Sequence, residues 1–116
     1  MLKKKHRLAK TTDVKRTFER GRSFLNPLFS IRFLAGNEAK RFTVVVSSKV
    51  SKKAVVRNRL RRKVREFVRT RLVNFLPGDY VIGIKPKVLS VTEGALINQL
   101  KDFLSAKKLL RDEKNN

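Results

Sequence analysis

Lys52-Lys53-Ala54-Val55-Val56-Arg57-Asn58-Arg59-Leu60-Arg61-Arg62-Lys63-Val64-Arg65-Glu66-Phe67-Val68-Arg69 joins two properties that seldom coincide. The stretch is dense in fixed positive charge, yet its apolar residues recur at helical spacing. At about 100° per residue, Val56, Leu60, Val64, Phe67, Val68, Leu72 and Phe75 project within an arc of roughly 160°. Asn58, Arg62, Arg65 and Arg69 share the far side at three- and four-residue steps. Arg57 and Arg61 point into the arc that turns apolar further along, which places them where the helix overhangs a sheet edge. One face is an anchor, and another presents guanidinium groups at fixed positions.

The flanking segments read as strands. Upstream, Phe42-Thr43-Val44-Val45-Val46 has the β-branched, apolar character of a central strand, and Ser47-Ser48-Lys49 closes it. Phe29, Ile31 and Phe33 alternate with Ser30 and Arg32, the period of a half-buried strand. Ala35-Gly36-Asn37-Glu38 reads as a turn, so these two strands are expected to pair as an antiparallel hairpin. Downstream, Pro77-Gly78 should stop the basic helix near Leu76. Asp79-Tyr80-Val81-Ile82-Gly83-Ile84 is a third strand, cut off by Pro86.

Helices are expected at both ends. Thr11-Thr12-Asp13 offers N-cap chemistry for a short helix running to Arg20 and stopping at Gly21, with Val14 and Phe18 on one face. Thr92 can cap a last helix with Glu93 in its first turn and Leu96, Leu100, Phe103 and Leu104 as its apolar face. Residues 1–10 read as a flexible basic arm and 111–116 as a frayed tail. The expected architecture is α+β: one domain over 1–116, in the order α-β-β-α-β-α, with helices packed on a small central sheet. A strand–helix–strand unit of this kind normally makes a parallel pair with a right-handed crossover.

Composition narrows the partners. The chain of 116 residues carries a formal net charge of +21, from 30 Lys and Arg against 9 Asp and Glu. That excess repels itself unless a polyanion screens it, so nucleic acid is the leading partner. No basic segment has a continuous lipid-facing apolar stripe, and no apolar run approaches a membrane span. With 41% hydrophobic residues and eight Phe, the chain can fold around a core. It has no cysteine, which removes disulfides, thiolate zinc sites and cysteine nucleophiles together. No secretory signal pattern opens the chain, and cytoplasm is the expected compartment.

Protein-side catalysis finds no support. His6 is the only histidine and sits in the basic arm, where it is expected to be solvent-exposed and idle. The carboxylates are scattered, with Asp13 read as a cap and Glu66 as a partner for neighbouring arginines. No pair suggests a metal or acid–base site, and no glycine loop cradles phosphate. Phe29, Ile31 and Phe33, with Phe18 beside them, are either core or a surface for stacking unpaired bases. Sequence alone leaves both readings open.

Several of these segments resemble the protein subunit of bacterial ribonuclease P. Val55-Val56-Arg57-Asn58-Arg59-Leu60-Arg61-Arg62-Lys63-Val64-Arg65-Glu66 is similar to that family's signature helix, including its arginine-asparagine-arginine core. Arg7-Leu8, then Asp13, Phe18 and Gly21-Arg22-Ser23, resemble its first helix and turn. Val44-Val45-Val46-Ser47-Ser48-Lys49 before the signature, and Asp79-Tyr80-Val81-Ile82 with Lys85-Pro86 after it, agree in order and spacing. Where the family often carries an aromatic on the first helix, this chain has Val14.

The resemblance implies a division of labour. A large RNA holds Mg²⁺ and performs phosphodiester hydrolysis, so the chain itself has no catalytic or metal-ligating residues. The protein grips the catalytic RNA and the 5′ leader of precursor tRNA. Carried over, Arg57, Asn58, Arg59, Arg61, Arg62 and Arg65, with Lys49, Lys52 and Lys53, contact RNA. Phe18, Phe29, Ile31 and Ser48 line a leader cleft between the first helix and the sheet. It also implies a left-handed crossover around the signature helix, against the general rule. The rival is a structural module such as a ribosomal or RNA-chaperone protein. No membrane and no protein partner is implied.

Overall fold

Two strands can share a sheet without touching if a third has room to enter between them. In the computed structural model, which describes residues 2–36 and 38–111, the third strand does so. The strands are β1 (Arg22–Leu25), β2 (Phe29–Ala35), β3 (Lys40–Val46) and β4 (Gly78–Ile84). Their order is β1-β2-β4-β3, antiparallel except for the parallel β3–β4 pair. The expected hairpin of β2 with β3 is therefore wrong, and β3 is an edge strand where a central one was expected. Of the expected turn, Asn37 lies outside the described residues, and the residues on either side of it, Gly36 and Ala39, bond to the start of β4. Gly36 N–H donates to Pro77 O at 3.2 Å and Gly78 N–H donates to Ala39 O at 2.8 Å. Gly78 has φ +150°, and a Cβ there would sit 2.5 Å from Leu34 O, so glycine at this position is what admits β4.

β1 was not foreseen. Four residues are too few for a period of two to register, and apart from half-buried Phe24 they lie exposed at the sheet edge.

One face of the sheet holds the core. Phe29, Ile31 and Phe33 from β2, Phe42, Val44 and Val46 from β3, and Tyr80, Ile82 and Ile84 from β4 are all buried. They join Leu60, Val64, Phe67 and Val68 of α2 (Ala54–Thr70) and Leu96, Leu100 and Leu104 of α3 (Glu93–Ala106) in one cluster. Phe33, Phe42, Phe75 and Tyr80 form an aromatic knot with ring centroids 4.6–5.4 Å apart. The Tyr80 hydroxyl donates to Leu76 O at 2.6 Å, and burial raises its pKa well above the usual phenol range. Thr92 caps α3 as expected, its Oγ1 accepting from Ala95 N–H at 3.1 Å.

The opposite face takes α1 (Thr11–Arg20), which packs on β2 and β4, and both Thr17 of the helix and Val81 of β4 are buried. Asp13 does not cap this helix. It reaches down to Arg41 on β3, Nη1–Oδ2 3.0 Å, while Arg41 also grips Asp79 through two 2.8 Å bonds. Two carboxylates sharing one planar fork tie α1 to the sheet. At the far end, a Cβ on Gly21 would stand 2.5 Å from Thr17 O and 2.8 Å from Phe33 O, so the chain leaves α1 flush with the sheet.

Two further expectations change. The helix expected to reach Leu76 ends at Thr70, and Leu72–Asn74 tighten into a 3₁₀ turn. Lys40 Nζ donates to Leu72 O and Val73 O at 3.0 and 3.1 Å, satisfying carbonyls at the end of the helical segment. The segment read as a flexible arm is docked. Leu2 and Leu8 are each 2% exposed, Leu8 N–H donates to Phe42 O at 2.8 Å, and Arg7 forms a parallel bridge with Phe42. His6 is accordingly half-buried, its Nδ1 donating to Lys40 O at 2.9 Å. Burial of two leucines and closure of the β3 edge explain why a basic segment lies on a basic protein. Of the tail, 112–116 lie outside the described residues, and Arg111 N–H donates to Asn74 O at 2.8 Å.

Candidate nucleic-acid interface

The cations of α2 fall into two classes. Arg59 pairs with Glu93 of α3 at 2.6 Å, Lys63 approaches the same carboxylate at 3.7 Å, and Arg69 is bonded to Glu66. The Arg69 guanidinium holds the Glu66 carboxyl below its ordinary range. Arg57, Arg61, Arg62 and Arg65 have no ion pair among the described residues. Arg57 Nη1 instead donates to Ser51 O at 2.8 Å, and Arg61 Nη1 to Asn58 Oδ1 at 2.6 Å. These bonds orient the forks without neutralising them. Burial, then the charges of Arg61 and Arg7, lower the Arg65 pKa. The unneutralised stripe runs at four-residue steps along the β3 edge, where Arg61 Nη2 lies 3.5 Å from Val46 O. Its footing is rigid, because Leu60, Val64, Phe67 and Val68 on the same helix are core.

The face that α1 only partly covers offers a second surface. Leu25, Ser30, Gly83 and Val45 are register neighbours in one row across all four strands. Leu25 is 65% and Val45 45% exposed, and Gly83 leaves the middle of the row without a side chain. In the adjoining row, Arg32 lies beneath α1, its guanidinium 5.4 Å from the Phe18 ring centroid and its Nη1 donating to Phe18 O at 3.0 Å. Phe18 itself is 44% exposed at the rim. The result is a flat floor of small and apolar groups walled by an aromatic ring and a cation.

A family model described as Ribonuclease P matches residues 2–108. The chain belongs to this family. It is 30% identical to the ribonuclease P protein component of a Cyanothece species, over 95% of this chain and 98% of that one. Identity to the Exiguobacterium counterpart is 32%, over 93% and 95% of the two chains. Among solved structures, the Staphylococcus aureus RNase P protein superposes with a TM-score of 0.85 at 24% identity, covering 91% and 98%, which bears on the fold. The Thermotoga maritima RNase P protein superposes with a TM-score of 0.76 at 29% identity, covering 86% and 96%.

For this ribonuclease P family member, the structure sorts the residues carried over by resemblance. On α2, Asn58, Arg62 and Arg65 are exposed and Arg57 and Arg61 half-buried, with exposed Lys52 and Lys53 at the helix entry. Ser48 and Lys49 are exposed in the turn after β3, and Lys49 N–H donates to Ser47 Oγ at 3.2 Å. Arg59 faces α3 and is occupied by Glu93. Phe29 and Ile31 are 0% exposed and cannot line a cleft. Alternation along β2 puts them on the core face, so the residues facing α1 are Ser30 and Arg32. The period-two pattern that revealed the strand carried this information, since the side chains between the buried ones must face the other way. Leu25, Gly83 and Val45 were missed because they join Ser30 only through strand pairing.

No helix among the described residues is long and apolar enough to cross a membrane. Among those residues, no three of His, Asp and Glu gather.

Proposed function

We propose that this chain is the protein subunit of a ribonuclease P holoenzyme that removes the 5′ leader from precursor tRNA. The observation that carries it is the stripe of Arg57, Arg61, Arg62 and Arg65, unneutralised within the fold and held on a core helix of a ribonuclease P family protein. Catalytic RNA docks on that stripe, each planar fork gripping phosphate oxygens. The leader lies on the α1 face along Leu25, Ser30, Gly83 and Val45. Phe18 stacks on an unpaired base and Arg32 neutralises the backbone. Because β3 separates the two surfaces by one strand edge, the protein aligns the leader against the RNA without touching the reacting phosphate.

Among the described residues, no three of His, Asp and Glu gather where a divalent cation could be held. The two most enclosed carboxylates, Asp13 and Asp79, are held by Arg41. Mg²⁺ and the hydrolysis it supports belong to the RNA subunit in this reading, and the protein lowers the Mg²⁺ concentration needed by supplying cations of its own.

The test is precursor-tRNA cleavage at low Mg²⁺ by a bacterial ribonuclease P RNA, with and without the protein. Rescue of accurate 5′ cleavage, absent with protein alone, supports the reading. Tight binding to that RNA without rescue, once mismatched RNA is ruled out with several RNAs, moves the assignment to a structural or chaperone protein.

A further inference from the structure

A second cation-lined concavity lies where the docked N-terminal segment meets α2. Leu2, Arg7, Arg62, Arg65 and Glu66 enclose a cleft of about 350 Å³. Leu2 belongs to the core cluster beneath α2, so the cleft opens on that side of the sheet, away from the α1 face. Its single carboxylate, Glu66, is bonded to Arg69. Among the described residues, none of the three arginines has an ion-pair partner.

Like charges gathered in this way repel, and the fold retains them at a cost. Arg7 is fixed at both ends of its side chain's reach: its backbone bridges to Phe42, and its Nε donates to Leu2 O at 3.0 Å. The bond through Nε occupies only one of the three guanidinium nitrogens. Arg62 and Arg65 approach from one helix at three-residue spacing. Cations from two independently anchored elements thus line one cleft whose single carboxylate is already engaged by Arg69.

We propose that Arg7, Arg62 and Arg65 form a clamp for a single backbone phosphate of RNA, with Arg7 extending the α2 interface across the N-terminal segment. Guanidinium forks from two directions match the two non-bridging oxygens of a phosphodiester. The assignment rests on the reading above for the identity of the RNA, since the clamp continues the stripe assigned to the catalytic subunit. It also gives the docked segment a role: Leu2 and Leu8 hold Arg7 in place before RNA arrives, so the ordering cost is met during folding.

The test compares the full chain with its Arg7→Gln, Arg7→Lys, Arg65→Gln and Arg7→Gln/Arg65→Gln variants. Affinity for a bacterial ribonuclease P RNA, and for an unrelated structured RNA, is measured against salt concentration. Each Gln variant should bind about tenfold more weakly at physiological salt and lose about 0.7–0.9 from the log–log salt slope, the share of one phosphate. The double variant should lose little more slope than either single one, because both side chains hold the same phosphate. Arg7→Lys should keep the slope and lose affinity, since it keeps charge without the fork. Wild-type slope and affinity in Arg7→Gln overturn the clamp, as does full additivity in the double variant or wild-type affinity in Arg7→Lys. A stability loss alone, with unchanged slope, assigns Arg7 to docking and also overturns it. Equal wild-type affinity for both RNAs counts against the subunit reading instead, while the slopes still decide the clamp.

Discussion

The two sides of α2 carry nearly the same residue types and behave differently. Toward α3, Arg59 and Lys63 share Glu93, and near the helix end Arg69 takes Glu66. Toward the β3 edge, Arg57, Arg61 and Arg65 meet only neutral oxygens or other arginines. Composition alone treats all of these as positive charge. What separates them is the surface each side faces: a helix start bearing an acid on one side, and a strand edge with carbonyls and a basic segment on the other. A cation already paired gains little from a phosphate, whereas one held unpaired gains the full interaction.

The largest effect should come from removing what both sides stand on. Phe67→Ala should lower stability by about 3–5 kcal/mol, read by urea denaturation, and weaken RNA binding only through loss of folded protein. A variant that keeps wild-type stability would show that α2 is not anchored as described.

Next comes the tether on the other face. Asp79→Ala leaves the Arg41 fork with Asp13 alone and should cost about 1–3 kcal/mol. Amide exchange should accelerate in α1 before it does in α2. Uniform acceleration would mean that the tether stabilises the whole domain and not the seat of α1 in particular.

The direct break of the comparison sets Arg57→Ala and Arg61→Ala against Arg59→Ala. Each of the first two should weaken binding to a ribonuclease P RNA by about 1.5–3 kcal/mol, with circular dichroism unchanged. Arg59→Ala should weaken it by less than about 1 kcal/mol, because Glu93 already holds that charge and the pair is exposed. Equal losses for all three would dissolve the distinction between paired and unpaired cations.

The smallest effect sharpens the account of the core. The Tyr80 phenol is held neutral by burial, so its folded pKa lies above the unfolded value of about 10. Its contribution to stability is complete below that value and is lost as pH rises through the folded pKa. Thermal melts from neutral pH to above 10 should therefore fall less steeply for Tyr80→Phe than for the unaltered chain. Parallel curves would place the hydroxyl in contact with water.

Much of this was readable from the chain. The anchored basic helix, the capped last helix and the strand expected at 79–84 follow from periodicity, cap chemistry and flanking breakers, which depend on residues close in sequence. The family signature lies within one helix and is equally local. The choice of Phe29 and Ile31 for the cleft failed on a question of facing: alternation says which side chains share a face, and only packing says which face is covered.

The sequence by itself determined the polyanion partner class, the helix that presents its charges and most element boundaries, because charge and period are properties of consecutive residues. Tertiary structure alone decided that β4 enters between β2 and β3, that Asp13 serves Arg41 instead of a helix end, and that the N-terminal segment lies along β3. It also decided which arginines remain unneutralised. Each of these depends on residues distant in the chain, such as the repulsion of Arg7 and Arg65 or the ion pair of Arg59 with Glu93, and an interaction energy exists only once the fold has brought the two charges together.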